Sequence, residues 1–293
     1  MIGYKLFLLL DFLLMLLPGF LRKGLFTSLA ALAHLLAFSR NRIIQANLNF
    51  AFKDELTNAQ KNEVERYCYK NLALNVLQTM ENRRNSASDL LRTVTFDNRE
   101  VVDVLLRDGR SIIFVSAHFG NWELGGAALS SLITPVSSIY KEFSASAYDP
   151  YLLQARTNHR MELAEKNGAL KHIAKALKNG RSILLMIDQA SNKRTGVLTN
   201  FFDRTTYHNS SAALLGAKFH APIVGVYITT VDAKNYTIHF EEPIEVGDSE
   251  AKSIANATQK QVDDLERVIR AHPKLWFWCH KRWKSEFNEI YAG

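Results

Sequence analysis

The chain has 293 residues, with 36 Lys and Arg against 29 Asp and Glu, and its formal net charge is +7. Hydrophobic residues make up 47% of it and charged residues 22%, which excludes a mainly disordered protein. With two cysteines, Cys68 and Cys279, the sequence excludes a disulfide scaffold and a cysteine-rich zinc or iron–sulfur site. The length suits one large domain or two modest ones.

The positive charge is concentrated at the amino terminus. Residues 1–53 hold six Lys and Arg against a single acidic residue, Asp11, a local balance of +5 that leaves +2 for the other 240 residues. A basic, apolar amino-terminal segment favours contact with an anionic membrane surface. The sequence carries no DNA- or RNA-binding signature, so we expect no nucleic acid partner.

Two apolar stretches make up this amino-terminal segment. Residues 6–17 are apolar except for Asp11 and are followed by Pro18, and a second stretch covers 25–38. Neither has the ~20 uninterrupted apolar residues of a clear transmembrane helix. Three interpretations are open: a signal peptide cleaved near residues 31–33, a pair of core helices in a soluble protein, or a helical hairpin anchored in a membrane or lying on it.

We favour the membrane-anchored hairpin. Cationic side chains flank both stretches, where they would contact lipid headgroups: Arg22, Lys23, Arg40 and Arg42. Asp11 would be costly at the centre of a bilayer, so a tilted or interfacial placement is expected. The sequence thus predicts a membrane-anchoring helical segment over residues 1–52 and one further domain over 53–293.

The rest of the chain alternates helices with strands. Apolar residues at spacings of three and four predict a long helix over 57–82, with Cys68 on its buried face as a small core hydrophobe. Further helices are predicted at 99–107, 121–132, 149–178 with a break at Gly168, 209–219, 251–271 and from Pro273 onward. Strands are predicted at 93–96, 111–116, 136–140, 182–187, 223–230 and 236–240. This alternation indicates an α/β fold with a mostly parallel sheet flanked by helices.

A polar segment follows the strand predicted at 111–116. Residues 116–124 read SAHFGNWEL and stand where a buried strand ends and a helix begins, the edge of an open α/β sheet at which ligands bind. His118 on the loop and Glu123 in the first helical turn could meet as a general base and its orienting carboxylate. Gly120 permits a tight turn, and backbone amides near it are candidate oxyanion donors. A purely structural junction, with a capping Glu and a hydrogen-bonded His, is the alternative.

The run from His118 to Glu123 resembles the His-x4-Asp/Glu signature of the glycerolipid acyltransferase superfamily and, more closely, the bacterial lipid A late acyltransferase family. Other blocks of this family have counterparts in the same order: Tyr140 with Lys141 in place of the usual Arg, residues 153–156, 187–189, 201–204 and 221–224, and the aromatic and basic run 276–284. Because these blocks begin near residue 100 and the anchor precedes them, the resemblance covers nearly the whole chain.

The resemblance implies a transferase of fatty acyl chains. The donor would be an acyl carrier protein thioester and the acceptor a hydroxyl of a phosphorylated lipid A precursor, with no metal or redox cofactor. His118 would take the hydroxyl proton, and Glu123 would orient the imidazole. The enzyme would be bound to the inner membrane with its catalytic domain, residues 53–293, facing the cytoplasm. The expected substrate-binding residues are Asn121, Arg156, Asp188, Lys281 and Arg282.

Two alternatives are left open by the residues themselves. The chain could acylate another membrane lipid, such as a glycerophospholipid or a phosphoinositide mannoside. It could also be a non-catalytic lipid-binding protein if the His–Glu pair is structural. Apart from the site, we expect His208 in the turn before the helix at 209–219 and Arg160 on a solvated helix face.

Overall fold

The computed structural model describes residues 2–140, 148–165 and 168–292. Its centre is a seven-stranded sheet with the strand order β1-β9-β8-β2-β5-β3-β4, accompanied by a hairpin of β6 and β7. The strands are β1 (Val94–Asp97), β2 (Ile113–Ser116), β3 (Val136–Tyr140), β4 (Glu162–Glu165), β5 (Ser182–Met186), β6 (Gly196–Phe201), β7 (Arg204–Asn209), β8 (Ile223–Thr229) and β9 (Tyr236–Phe240).

The sheet is mostly parallel. Strands β8, β2, β5, β3 and β4 run in one direction, whereas β9 and β1, which are parallel to each other, run in the opposite direction. The carboxyl ends of the five-strand block therefore lie at the same edge as the amino ends of β1 and β9. This topology confirms the predicted α/β fold with a mostly parallel sheet.

Helices flank the sheet and precede it. A π-helical turn at Leu129–Ile133 continues α7, and 3₁₀ turns lie at Pro273–Leu275 and Asn288–Tyr291. The helices are α1 (Ile2–Leu16), α2 (Gly19–Leu36), α3 (Phe38–Phe52), α4 (Asn58–Asn82), α5 (Ala87–Leu91), α6 (Glu100–Arg107), α7 (Trp122–Ala128), α8 (Asp149–Thr157), α9 (Ala169–Lys178), α10 (Ser211–Phe219) and α11 (Ala251–Ala271).

Each face of the sheet is covered by its own apolar cluster. On β2, Ile113 and Val115 pack in a cluster with residues of α4, α10 and α11, whereas Phe114 packs in a second cluster with residues of α6 and α7. Successive side chains of a strand point to opposite faces, so β2 is buried on both sides, as central parallel strands are. The catalytic candidates that follow β2 are thereby attached to a strand buried on both faces.

Helix α4 begins and ends where the sequence predicts. Thr57 forms a capping box with Gln60. The backbone N–H of Gln60 donates to Thr57 Oγ1 (3.3 Å), and the backbone N–H of Thr57 donates to Gln60 Oε1 (2.8 Å). Cys68 is buried on the core face, as expected, and its Sγ lies 3.6 Å from Sγ of Cys279.

Strand β4 lies in a region that the sequence predicts as helical. Its residues, ELAE, are good helix formers. Here they pair with β3 at the edge of the sheet, in a register that sets Ser137 opposite Glu162. Backbone pairing with the neighbouring strand thus outweighs a weak local preference for helix.

The hairpin of β6 and β7 is also absent from the prediction. Its two-residue turn is Phe202 and Asp203, both with positive φ (52° and 56°), where Asn-Gly or Asp-Gly would be the recognisable sequence. His208 lies inside β7 and is buried, so the prediction that it belongs to a turn is wrong.

The amino-terminal helices pack on the body with one side and are apolar on the other. Helix α2 lies along α4, where Arg22 pairs with Glu81 (2.9 Å) and His34 with Glu65 (2.7 Å). Large apolar side chains are exposed on the outer side, here called the apolar face: Leu6, Leu9, Leu10, Phe12, Leu13, Leu16, Phe20, Leu21, Leu25, Leu29, Leu32, Leu35 and Leu36.

Asp11 points away from the apolar face. Its buried carboxylate accepts hydrogen bonds from Arg83 (3.2 Å), Arg84 and the Tyr151 hydroxyl (2.6 Å). In the described ranges no single helix is long and apolar enough to cross a membrane, whereas the pair of α2 and α3, bent by 88°, meets the requirement of length and composition. The predicted boundary after residue 52 coincides with the end of α3 and stays a prediction.

Candidate active site

The register between β2 and β5 brings His118 and Asp188 together. Ser116, the last residue of β2, pairs with Met186, the last residue of β5. His118 and Asp188 each follow two residues later, so both lie at the carboxyl edge of the parallel strands and their side chains meet. This edge is where open α/β sheets bind ligands.

The Asp188 carboxylate is fully buried and is surrounded by N–H donors. Oδ1 lies 3.0 Å from Nδ1 of His118, and Oδ2 accepts the backbone N–H of His118 (3.0 Å) and the indole N–H of Trp276 (3.1 Å). Burial alone would raise the pKa of this carboxyl group, but the charge and hydrogen bonds of His118 outweigh burial and lower the pKa of Asp188 to about 2. Asp188 is therefore ionised at neutral pH.

His118 has the arrangement of a general base. Because a carboxylate only accepts hydrogen bonds, Nδ1 carries a proton toward Asp188, and Nε2 is left as the basic nitrogen. Burial opposes the imidazolium, yet the charge and hydrogen bond of Asp188, with a smaller contribution from Glu123, raise the pKa of His118. Its side chain is 22% exposed, so the ring is accessible to a substrate.

Glu123 does not make the expected contact with His118. Its carboxylate pairs in bidentate fashion with Arg156 of α8, with Oε1 2.7 Å from Nη2 and Oε2 3.2 Å from Nε. The charge of Glu123 in turn raises the pKa of Arg156. Among the described residues no hydrogen bond joins Glu123 to His118. The carboxylate that orients His118 is Asp188, which the sequence analysis placed among the substrate contacts.

Gly120 shapes the turn, but its amide is already engaged. Its φ is +56°, and a Cβ atom there would lie 2.0 Å from the carbonyl oxygen of Ile228, so glycine is required. The Gly120 N–H donates to the Leu275 carbonyl (2.9 Å), and the Gly120 carbonyl accepts from Asn71 and Asn75. The Gly120 amide itself is therefore engaged in the fold, and the expectation that backbone amides near Gly120 hold an oxyanion stays a prediction.

Asn121 acts as the amino-terminal cap of α7. Its side chain is buried, and Oδ1 accepts the N–H of Leu124 at 3.1 Å. On the other side Nδ2 lies 3.4 Å from Oε1 of Gln78. These contacts explain Asn121 through the helix start, and none of them requires the substrate contact predicted for this residue.

The aromatic and basic run after Leu275 is not the predicted helix. Beyond the 3₁₀ turn at Pro273–Leu275, residues 276–287 are non-helical, and we call them the closing segment. The closing segment contacts both His118 and Asp188. The indole of Trp276 donates to Asp188, and the backbone N–H of Phe277 donates to the His118 carbonyl (2.9 Å). The ring centres of His280 and His118 lie 5.5 Å apart. The sequence analysis missed these contacts, since the composition of the run signals only apolar packing and positive charge.

Arg282 is held inside the protein. It is 1% exposed and donates to Nε2 of His208 (2.6 Å) and to the Tyr207 carbonyl (3.1 Å). Burial lowers the pKa of Arg282 to about 10. Burial also holds the pKa of His208 well below its ordinary value, so His208 is neutral. The neutral ring donates from Nδ1 to Thr199 Oγ1 (2.6 Å). This guanidinium joins the closing segment to β7, and none of its contacts supports the phosphate contact predicted for Arg282, which stays a prediction.

The remaining candidates lie apart from this centre. Lys281 is exposed, with Nζ 5.4 Å from the ring centre of Tyr291, and its described contacts do not involve His118. Lys141 lies outside the described residues. Within the described ranges no group of three or more His, Cys, Asp or Glu side chains is arranged to hold a metal ion.

Replacing Asp188 by Asn preserves the shape of the side chain but removes its charge. We expect the pKa of His118, followed by NMR titration of the ring protons, to fall in Asp188→Asn. The ring-proton NMR signals of His118 are assigned as those that disappear in the spectrum of His118→Gln. Asp97→Asn, which removes the carboxylate paired with His239 (2.9 Å), is the control and should leave the pKa of His118 unchanged. An unchanged pKa in folded Asp188→Asn would contradict the electrostatic coupling of the two residues.

Comparison with known proteins gives one family match and no curated relative. A search of curated proteins gives no match. The family model described as bacterial lipid A biosynthesis acyltransferase matches residues 2–285, which is nearly the whole chain. The site geometry described above lies inside this match. The chain therefore belongs to the bacterial lipid A biosynthesis acyltransferase family and is an acyltransferase.

Proposed function

We propose that this acyltransferase moves a fatty acyl chain from an acyl carrier protein thioester to a hydroxyl of a phosphorylated lipid A precursor. Membership of the family supports a lipid A precursor as the acceptor. The observation that carries the chemistry is the contact of His118 with the buried Asp188, which leaves one ring nitrogen as a base at the ligand-binding edge of the sheet.

The proposed reaction is a direct transfer. His118 Nε2 takes the proton of the acceptor hydroxyl while the hydroxyl oxygen attacks the carbonyl carbon of the thioester. Asp188 stabilises the imidazolium that forms. The tetrahedral intermediate then expels the donor thiolate, which recovers the proton from His118. The products are the acylated lipid and the free thiol of the carrier protein, without an acyl-enzyme.

The pair of Glu123 and Arg156 suits a group that becomes negative only during the reaction. Glu123 balances the charge of Arg156, and 33% of the Arg156 side chain stays exposed. A balanced pair attracts a phosphate dianion weakly, but its N–H groups stabilise an oxyanion that develops where water is excluded. We therefore assign Arg156 to the thioester oxyanion instead of the acceptor phosphate expected from the sequence.

The proposed location is the cytoplasmic side of the inner membrane. The apolar face of α1 and α2 supports it, since exposed apolar side chains in soluble proteins are scattered singly, whereas these are concentrated on two consecutive helices. Such a face is stabilised when it enters the boundary between headgroups and acyl chains. A soluble acyl carrier protein as donor would require the active site to face the cytoplasm.

Acyl transfer can be measured as the mass of one acyl chain added to the lipid, with purified enzyme, acyl carrier protein thioester and lipid A precursor. His118→Ala should lower turnover about 10²–10⁴-fold, because the general base is lost, while circular dichroism stays unchanged. His272→Ala removes an exposed histidine and should retain full activity. Near-normal turnover by folded His118→Ala would exclude His118 as the base, and no acylation by the unaltered enzyme would exclude the reaction.

Arg156→Ala should lower kcat about 10²–10³-fold and leave the KM of the acceptor nearly unchanged, because the oxyanion exists only during the reaction. Arg156→Lys should restore activity only in part, since an ammonium lacks the planar, bidentate geometry. Arg160→Ala is the control: Arg160 lies in the exposed turn after α8, not on a helix face as predicted. A higher acceptor KM with an unchanged kcat in Arg156→Ala would contradict the oxyanion role and assign Arg156 to binding the acceptor phosphate.

Membrane binding can be tested with point changes that leave the packing of α2 on α4 intact. Leu9, Leu13 and Leu16 are each at least half exposed (53%, 50% and 66%), and changing all three to Gln should weaken cosedimentation with phosphatidylglycerol vesicles at least tenfold. The control changes Val104, Leu198 and Leu214, exposed apolar residues elsewhere, to Gln. Equal vesicle binding by both triple variants would exclude the apolar face as the membrane surface.

A further inference from the structure

A cationic pocket lies between α2, α4 and the sheet edge. Its volume is about 280 Å³, and four positively charged side chains line it: Arg22, Lys23, Arg92 and Lys234. Two carboxylates, Glu81 and Asp89, complete its charged groups. The volume is near the lower end of the ~300–1,000 Å³ of pockets that hold small molecules, which is room enough for the headgroup phosphate of a larger lipid.

The pocket lies at the edge of the sheet that carries His118. Thr93, directly before β1, and Tyr236, the first residue of β9, are part of its lining, and these strand starts share an edge with the carboxyl ends of β2 and β5. Asn121, the cap of α7 and three residues after His118, lines the pocket as well. A lipid held in the pocket therefore has its headgroup next to the catalytic turn.

The pocket has a net positive charge because two of its lysines, Lys23 and Lys234, are not balanced by its carboxylates. Arg22 pairs with Glu81 (2.9 Å) and Arg92 with Asp89 (3.2 Å), so these four groups balance one another. Among the residues that the structure describes, Lys23 Nζ donates only to a neutral group, the carbonyl of Ala233 (3.1 Å). In the described part of the chain the Nζ of Lys234 has no hydrogen bond or ion pair. The remaining charge of about +2 matches a phosphate monoester, which carries ≈ −1.5 to −2 at pH 7.

The position of Lys23 ties the pocket to the apolar face. Lys23 is on α2, where its neighbours Phe20, Leu21 and Leu25 are exposed by 73%, 46% and 45%. If this face enters the membrane interface, the pocket borders the headgroup layer, where lysine side chains meet anionic groups. Its ligand is then a phosphate carried by a lipid of the same membrane.

We propose that this pocket binds a phosphate of the lipid A precursor, with Lys23 and Lys234 as its ionic contacts. The inference rests on the proposed function, and it supplies the phosphate contact that Arg282 and the balanced Arg156 do not provide. Phosphate binding here would hold the acceptor while its hydroxyl reaches His118. Specificity for a phosphorylated acceptor would thus be determined on α2 and in the β8–β9 turn, outside the catalytic turn.

The test compares Lys23→Gln/Lys234→Gln with Lys178→Gln/Lys252→Gln, which removes two exposed lysines outside the amino-terminal helices. With the phosphorylated acceptor, the pocket variant should show an acceptor KM at least about tenfold higher and an unchanged kcat, because two charge-assisted contacts are lost. With the dephosphorylated acceptor, both variants should match the unaltered enzyme. An unchanged KM in the pocket variant overturns the proposal. Weaker binding to phosphatidylglycerol vesicles with an unchanged acceptor KM assigns the pocket to bulk membrane lipid and also overturns it.

A binding experiment keeps this inference separate from the proposed reaction. Short-chain phosphatidic acid in neutral detergent micelles supplies a lipid phosphate monoester, and diacylglycerol is its uncharged counterpart. The unaltered protein should bind phosphatidic acid at least about tenfold more tightly than the pocket variant does, with equal affinities for diacylglycerol. Equal affinities for phosphatidic acid overturn the pocket assignment, whereas failure of acyl transfer by the unaltered enzyme overturns only the proposed function.

Discussion

A fully buried carboxylate at the end of β5 determines how the site is assembled. A charge removed from water is tolerated only when donors surround it, and Asp188 takes its donors from the turn after β2 and from the closing segment. Three chain segments must therefore be in place before this charge is satisfied. The low pKa of Asp188 is the electrostatic expression of that requirement, and the raised pKa of His118 is its counterpart.

The same requirement explains why the closing segment is irregular. Trp276 reaches Asp188 with its indole, and Phe277 bonds the His118 carbonyl with its backbone, so consecutive residues contact one turn. A helix would use those backbone groups internally. Asn47 on α3 donates to the carbonyls of Trp278 (2.7 Å) and His280 (2.6 Å), which replaces part of the missing helical pairing. The amino-terminal helices thereby support the site directly.

The sequence allows most of the fold to be predicted, but only part of the site. Buried strands such as β2 and β5 have apolar runs of the right length, and His118 follows one of them. Spacing along the chain suggested Glu123 as its partner, because register between β2 and β5 cannot be derived from local spacing. Arg282 illustrates a second limit of prediction from sequence. An arginine among aromatic residues has the same local sequence pattern whether it binds an anion or donates to a buried histidine, as Arg282 does. Strand β4 shows a third, because its residues favour helix until β3 pairs with them.

Asp11 gives the apolar amino terminus a defined orientation. A charge in an apolar run was expected to limit insertion into a membrane, but this carboxylate faces the body and fixes which side of α1 remains outside. Two partners of Asp11 connect it to α8. Tyr151 is a residue of α8, and Arg83 donates a further hydrogen bond to Gln154 of α8 (2.7 Å). Helix α8 carries Arg156, whose guanidinium is paired with Glu123. The helix that presents the apolar face and the helix that presents Arg156 are therefore held together by one ionic cluster around the buried Asp11.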